Sequence, residues 1–147
     1  SEDIQGKAHE LVREVIRALN ISNGPVYFQL KYDGEEVYVI EVTPRLDGCH
    51  LWRLINLKYG VDLLALSIQQ LLDPKKVVVE REIEDRPDQG GFLSLNFTLQ
   101  EPGTPCRHER RKGGGSLYSE WYYPEGESVG LINGFMEKTG YWIQEAS

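Results

Sequence analysis

The sequence predicts an α+β fold, with an antiparallel sheet and helices in the first half and a small β-rich lobe in the second. Three observations predict it. Apolar residues recur at helical spacing over residues 4–19. Two strand-like runs flank Asp33-Gly34, a strong hairpin signal. From Lys75 onward, short strand-like runs alternate with Pro, Gly and charged residues.

Each element has its own warrant. In the first helix Ile4, Ala8, Leu11, Val12, Val15, Ile16 and Leu19 form one apolar stripe. Ser1 or Asp3 is a suitable N-cap, and Asn20 to Gly24 followed by Pro25 ends the pattern. Val26–Tyr32 and Val37–Val42 follow as strands. The second is nearly all apolar, which predicts a central strand buried on both faces, with Glu41 standing out inside it. Thr43-Pro44-Arg45 ends that strand, because Pro44 lacks an N–H donor. Leu51–Lys58 and Asp62–Leu72 read as short helices, separated at Gly60 and with Asp62 as N-cap of the second. Val77-Val78-Val79, Gly91–Leu99, Ser116–Tyr123 and Tyr141–Gln144 read as short strands. The change of texture sets a domain boundary near residue 74, giving 1–74 and 75–147.

Composition excludes several function classes. Of 147 residues, 40% are hydrophobic and 27% charged, with a net charge of −7. An acidic chain is a poor default partner for nucleic acid, which needs clustered Lys and Arg. No apolar run approaches the ~20 residues that span a bilayer, so no membrane role is expected. Only Cys49 and Cys106 occur, which excludes a disulfide framework and favours a cytoplasmic location.

The chemistry concentrates between Gly24 and His50. Folding the hairpin about Asp33-Gly34 pairs positions that sum to about 69–70. Gln29 then falls beside Ile40 or Glu41, according to the loop register. Thr43 lies two residues beyond Glu41 and shares its face. An amide oxygen, a carboxylate and a hydroxyl are hard ligands of the kind Mg²⁺ accepts, with water and phosphate completing its shell. Arg45, just past the strand, suits bidentate pairing with phosphate or carboxylate. The bland alternative is a Glu and a Gln on a solvated strand face.

Other constellations are weaker. Cys49-His50 and Cys106-x-His108 contain four zinc-type ligands but lack Cys-x2–4-Cys spacing. Gly113-Gly114-Gly115, after Arg110-Arg111-Lys112, lacks the phosphate-loop pattern and reads as a surface loop. His9 reads as a helix-surface residue. His50 follows the candidate metal loop, on what would be the substrate side. Trp121, Tyr122, Tyr123, Tyr141 and Trp142 read as packing of the small β lobe.

The segment Gly24-Pro-Val-Tyr-Phe-Gln-Leu-Lys-Tyr-Asp-Gly-Glu-Glu-Val-Tyr-Val-Ile-Glu-Val-Thr-Pro-Arg-Leu-Asp-Gly-Cys-His50 resembles the C-terminal motif of the ATP-grasp superfamily. Its nearest likeness is to the carbamoyl-phosphate-synthase-like and amino-acid-ligase branches. The similarity covers about Asn23 to Leu72 and includes Tyr59-Gly-Val-Asp-Leu-Leu64. The resemblance implies that Gln29 and Glu41 hold Mg²⁺ and that Arg45 meets phosphate or an acyl phosphate. Thr43 stands where the family usually has Asn, which leaves a second metal in question. More loosely, the tail from Lys75 is similar to the β-rich extension that follows such domains.

The activity implied is that of an ATP-dependent ligase. A small carboxylate or bicarbonate is phosphorylated by ATP, and an amine or ammonia displaces the phosphate. The lysines, glycine-rich loop and adenine-binding segment that the family places upstream do not fit in the about 25 residues before the motif. The expectation is therefore a fragment of a longer ligase, or a natural remnant, that turns over no ATP alone. The rival reading is a non-catalytic assembly or small-ligand-binding module derived from the same fold. An edge strand in the second half offers a route to a homodimer.

Overall fold

A computed structural model describes residues 2–75, 91–108 and 115–146. The chain divides into two compact units, Ser1–Ile83 and Glu84–Ser147. The fold is α+β, with both sheets antiparallel.

The first unit opens with helix α1 (Glu2–Ala18), which packs against strand β2. The apolar stripe is half-buried from Ile4 to Ile16, while Leu19 at its end is exposed, as are Arg13, Glu14, Arg17 and His9. Strands β1 (Tyr27–Tyr32) and β2 (Val37–Thr43) form a two-stranded sheet. Their loop is Asp33–Glu36. Asp33 Oδ1 accepts the N–H groups of Glu35 at 3.0 Å and Glu36 at 2.9 Å, an Asx turn that closes the hairpin. Those backbone donors, Glu36 first, hold the Asp33 carboxyl below its ordinary range. Lys7 of α1 ties the tip down, donating to Glu35 O at 2.6 Å and reaching Glu36 Oε1 at 3.3 Å.

One expectation is corrected here. β2 is not buried on both faces among the described residues; Tyr38, Ile40 and Glu41 are exposed. The apolar run reflects a half-buried face formed with Phe28, Leu30 and Val42, plus Ile40, which an irregularity in the ladder turns outward.

Helices α2 (Leu51–Tyr59) and α3 (Leu63–Leu72) follow and pack together. Gly60 ends α2 with φ 71°, its N–H donating to Asn56 O at 2.8 Å. Only glycine takes this left-handed C-terminal conformation without steric cost. Asp62 caps α3 by accepting from Ala65 N at 2.9 Å, as its position predicts. Val77-Val78-Val79 and the Arg110–Gly114 stretch lie outside the described residues.

The second unit is a three-stranded sheet with order β3-β5-β4, built from β3 (Leu93–Gln100), β4 (Tyr118–Trp121) and β5 (Glu137–Glu145). β5 begins four residues before the predicted Tyr141. As the central strand it supplies most of the core: Tyr141, Ile143, Thr139 and Glu137 are buried, as are Val129 and Cys106. Burial, and then hydrogen bonding to Glu120, push the Tyr141 hydroxyl well above its ordinary pKa. Gly140 is forced by close approach, since an added Cβ would lie 2.6 Å from Glu120 O and 2.8 Å from the Trp121 ring. At the end of β3, Gln100 also clasps the backbone of Arg107. Its side chain accepts from Arg107 N at 3.0 Å and donates to Arg107 O at 2.9 Å.

Candidate functional site

The register of the hairpin decides which side chains meet. Tyr27 faces Thr43, Phe28 faces Val42 and Gln29 faces Glu41, but Leu30 faces Val39. Ile40 is therefore the extra residue of a β-bulge. The bulge resolves the two alternatives for Gln29 in favour of Glu41. Directly opposite residues share a face, so Gln29, Glu41 and Thr43 lie together. Thr43 Oγ1 donates to Glu41 Oε1 at 2.7 Å.

Gln29 and Glu41 are exposed and Thr43 is half-buried. An open face is what a ligand arriving from outside the unit requires. The same face continues through Lys31 and its partner Tyr38. Period-2 alternation placed Lys31 beside Gln29, but Tyr38 and Glu41 share that face only because of the bulge, which the sequence does not announce. Tyr38 is held by a hydrogen bond to the Asp33 carboxylate, which raises its hydroxyl pKa.

Arg45 follows a tight turn centred on Pro44, in which Arg45 N donates to Thr43 O at 2.8 Å. This two-residue span is an inverse γ-turn, and the fixed φ of proline favours it. The Arg45 side chain is exposed and donates from Nη1 to Leu46 O at 2.8 Å. One guanidinium contact to its own loop leaves further donors of the five for an anion. Beyond it, Asp47 Oδ2 accepts from Cys49 N at 2.6 Å. His50 takes φ 63° at the N-cap of α2. That places it at the end of the loop that carries Arg45.

The donor set suits a hard cation. An amide, a carboxylate and a hydroxyl offer oxygen only, and an exposed position lets water complete a Mg²⁺ shell. Among the described residues, no group of three or more His, Cys, Asp or Glu side chains is placed to hold a metal. The zinc alternative gains nothing at His108. Its Nε2 lies 2.7 Å from Tyr123 O, its ring stacks on Trp121 at 4.4 Å, and Nδ1 lies 3.4 Å from Glu125 Oε2. Cys106 is buried, and burial raises its thiol pKa. Tyr141 serves packing as expected, with Tyr118 and Tyr122 tilted against it. Among the described residues no helix is long and apolar enough to cross a membrane.

No family model and no curated protein matches the chain. Solved structures do. An L-amino acid ligase from Bacillus licheniformis is 21% identical with a TM-score of 0.72, and the match covers 99% of this chain and 36% of that one. A phosphoribosylglycinamide synthetase from Anaerococcus prevotii is 18% identical with a TM-score of 0.68, covering 99% of this chain and 37% of that one. This chain thus spans little more than a third of the length of either. The fold is part of the ATP-grasp fold, the one that the Gln29–Arg45 motif resembles.

Proposed function

We propose that this chain serves an ATP-dependent ligase of the ATP-grasp type, supplying its Mg²⁺ and phosphate ligands. The observation that carries the proposal is the direct pairing of Gln29 with Glu41, with Thr43 hydrogen-bonded to the same carboxylate. In this reading 1–74 is the C-terminal part of the ATP-grasp domain and 75–147 its β-rich extension. The fold shared with two ATP-grasp ligases supports it.

Gln29, Glu41 and Thr43 form the oxygen set that would hold Mg²⁺. When bound, the cation neutralises charge on the phosphoryl group in transfer. Glu41 contributes the negative charge of the set, and Gln29 a neutral oxygen that leaves the cation electrophilic. Arg45 orients the γ-phosphate of ATP or the acyl phosphate by paired N–H donation. The reaction joins a small carboxylate to an amine through that acyl phosphate, in the carboxylate–amine or carbamoyl-phosphate-synthase-like manner. No general base is required if the amine arrives neutral. The setting is cytoplasmic, the chain acts without nucleic acid or membrane, and a homodimer is compatible with β3 and β4 being the outer strands of the described sheet. Residues 1–147 alone turn over no ATP.

The test is Glu41→Gln in the whole ligase, with ADP release measured across a panel of carboxylates and amines. Turnover should fall by about 10³-fold or more with the circular dichroism spectrum unchanged. Retained turnover would overturn the assignment.

A further inference from the structure

The dipeptide Asn-Gly occurs twice, at Asn23–Gly24 and at Asn133–Gly134. We propose that Asn23 is a site of spontaneous deamidation, and that the Glu137 carboxylate locks Asn133 against the same reaction. In that reaction the glycine backbone nitrogen gives its proton to water and bonds to the asparagine Cγ. The Cγ–Nδ2 bond breaks, and Nδ2 takes a proton from water and leaves as ammonia. Water then opens the succinimide at either carbonyl, giving aspartate or isoaspartate. Glycine suits the step because it sets no Cβ beside the attacking nitrogen.

The two sites differ in what holds the reacting atoms. Asn23 and Gly24 are exposed, in the loop between α1 and β1. Gly24 N–H donates to Asn23 Oδ1 at 3.2 Å, so the nucleophile lies beside the carbonyl that it attacks. Among the described residues the Asn23 side chain makes no other hydrogen bond. Rotation of that side chain is then enough to bring nitrogen to carbon.

Asn133 is held on both sides of the bond that would form. Its Nδ2, the leaving group, donates to Glu137 Oε2 at 2.8 Å. Gly134 N–H, the nucleophile, donates to Glu137 Oε1 at 3.3 Å. The N–H groups of Asn133 at 2.5 Å and Ile132 at 2.7 Å share that oxygen. One buried carboxylate therefore ties down both reacting groups. Ring closure has to break charge-assisted hydrogen bonds first. Burial raises the Glu137 pKa, yet its donors leave it below the ordinary value, a poor acceptor for the glycine proton. An aspartate at 133 would also set a second carboxylate against Glu137, whereas one at 23 lies on an exposed loop.

The test incubates residues 1–147 in mildly alkaline buffer, folded and in guanidinium chloride. Peptide mass spectrometry follows the loss of each asparagine, and the unfolded chain supplies each site's intrinsic rate. In the folded chain Asn23 should react at close to its intrinsic rate. Asn133 should be slowed by about 10-fold or more, the worth of one charge-assisted hydrogen bond. Glu137→Gln has one carbonyl oxygen for four donors, so it should release Asn133 towards the unfolded rate. Thermal melts confirm that this variant folds; Glu137→Asp, one methylene shorter, replaces it if it does not. Slowing of Asn23 equal to that of Asn133 would overturn the assignment of Asn23. Reaction of Asn133 at its unfolded rate or faster would overturn the lock. Protection that survives in the folded variant would overturn the role of Glu137.

Discussion

Gln29 faces Glu41 across the β1–β2 hairpin because Ile40 is one residue too many for the ladder. The bulge brings a neutral amide and a carboxylate into register on an exposed face. Gln29→Glu would place two carboxylates directly opposite each other. Without cation they repel, so the thermal midpoint should fall. With Mn²⁺ the added charge should tighten binding by about 10-fold, since ligand charge count sets affinity at oxygen sites. Parallel melts and Mn²⁺ titrations check both signs, and an unchanged affinity would count against the face as a cation site.

Arg45 stands at the exit of the same strand, held by the turn at Pro44. Arg45→Ala should weaken nucleotide triphosphate binding by the whole ligase by about 10-fold or more, the worth of a charge-assisted hydrogen bond. Arg45→Lys should recover only part of it, because an ammonium lacks the planar fork. Calorimetry with Mg–ATP reads both variants. Full recovery by lysine would show that charge alone matters.

Gly140 has no room for a side chain, with Glu120 O and the Trp121 ring both under 3.0 Å from the Cβ position. The obstructing oxygen is backbone in the paired strand β4 and cannot move freely. Gly140→Ala should therefore destabilise the second unit by about 3 kcal/mol, the upper range for overpacking. Urea denaturation followed by tryptophan fluorescence measures it. A loss under about 0.5 kcal/mol, the range of ordinary surface changes, would show that β4 yields.

Glu137 is 1% exposed yet remains a carboxylate. Burial pushes its pKa up, but four donors outweigh that and leave it below the ordinary value. They are the backbone N–H groups of Asn133, Ile132 and Gly134 and the Asn133 side chain. A lowered folded-state pKa gives stability that is present above the unfolded value and lost as pH falls through the folded one. Glu137→Gln should lower the thermal midpoint at pH 7, and its difference from wild type should shrink below about pH 4. A pH-independent difference would assign the effect to packing.

The sequence by itself determined the elements whose signals are local. Helical spacing marked α1, the Asp33-Gly34 turn marked the hairpin, and Asp62 marked the start of α3. It also marked Gln29, Glu41, Thr43 and Arg45, because strand alternation and a short motif are properties of neighbouring residues. Only the tertiary structure decided that Gln29 meets Glu41 and not Ile40, since a bulge is set by pairing with another strand. Likewise the closeness that forces Gly140 arises between segments far apart in the chain. Periodicity records which face a side chain takes. What stands on the other side of that face is fixed by packing and hydrogen bonding across the chain.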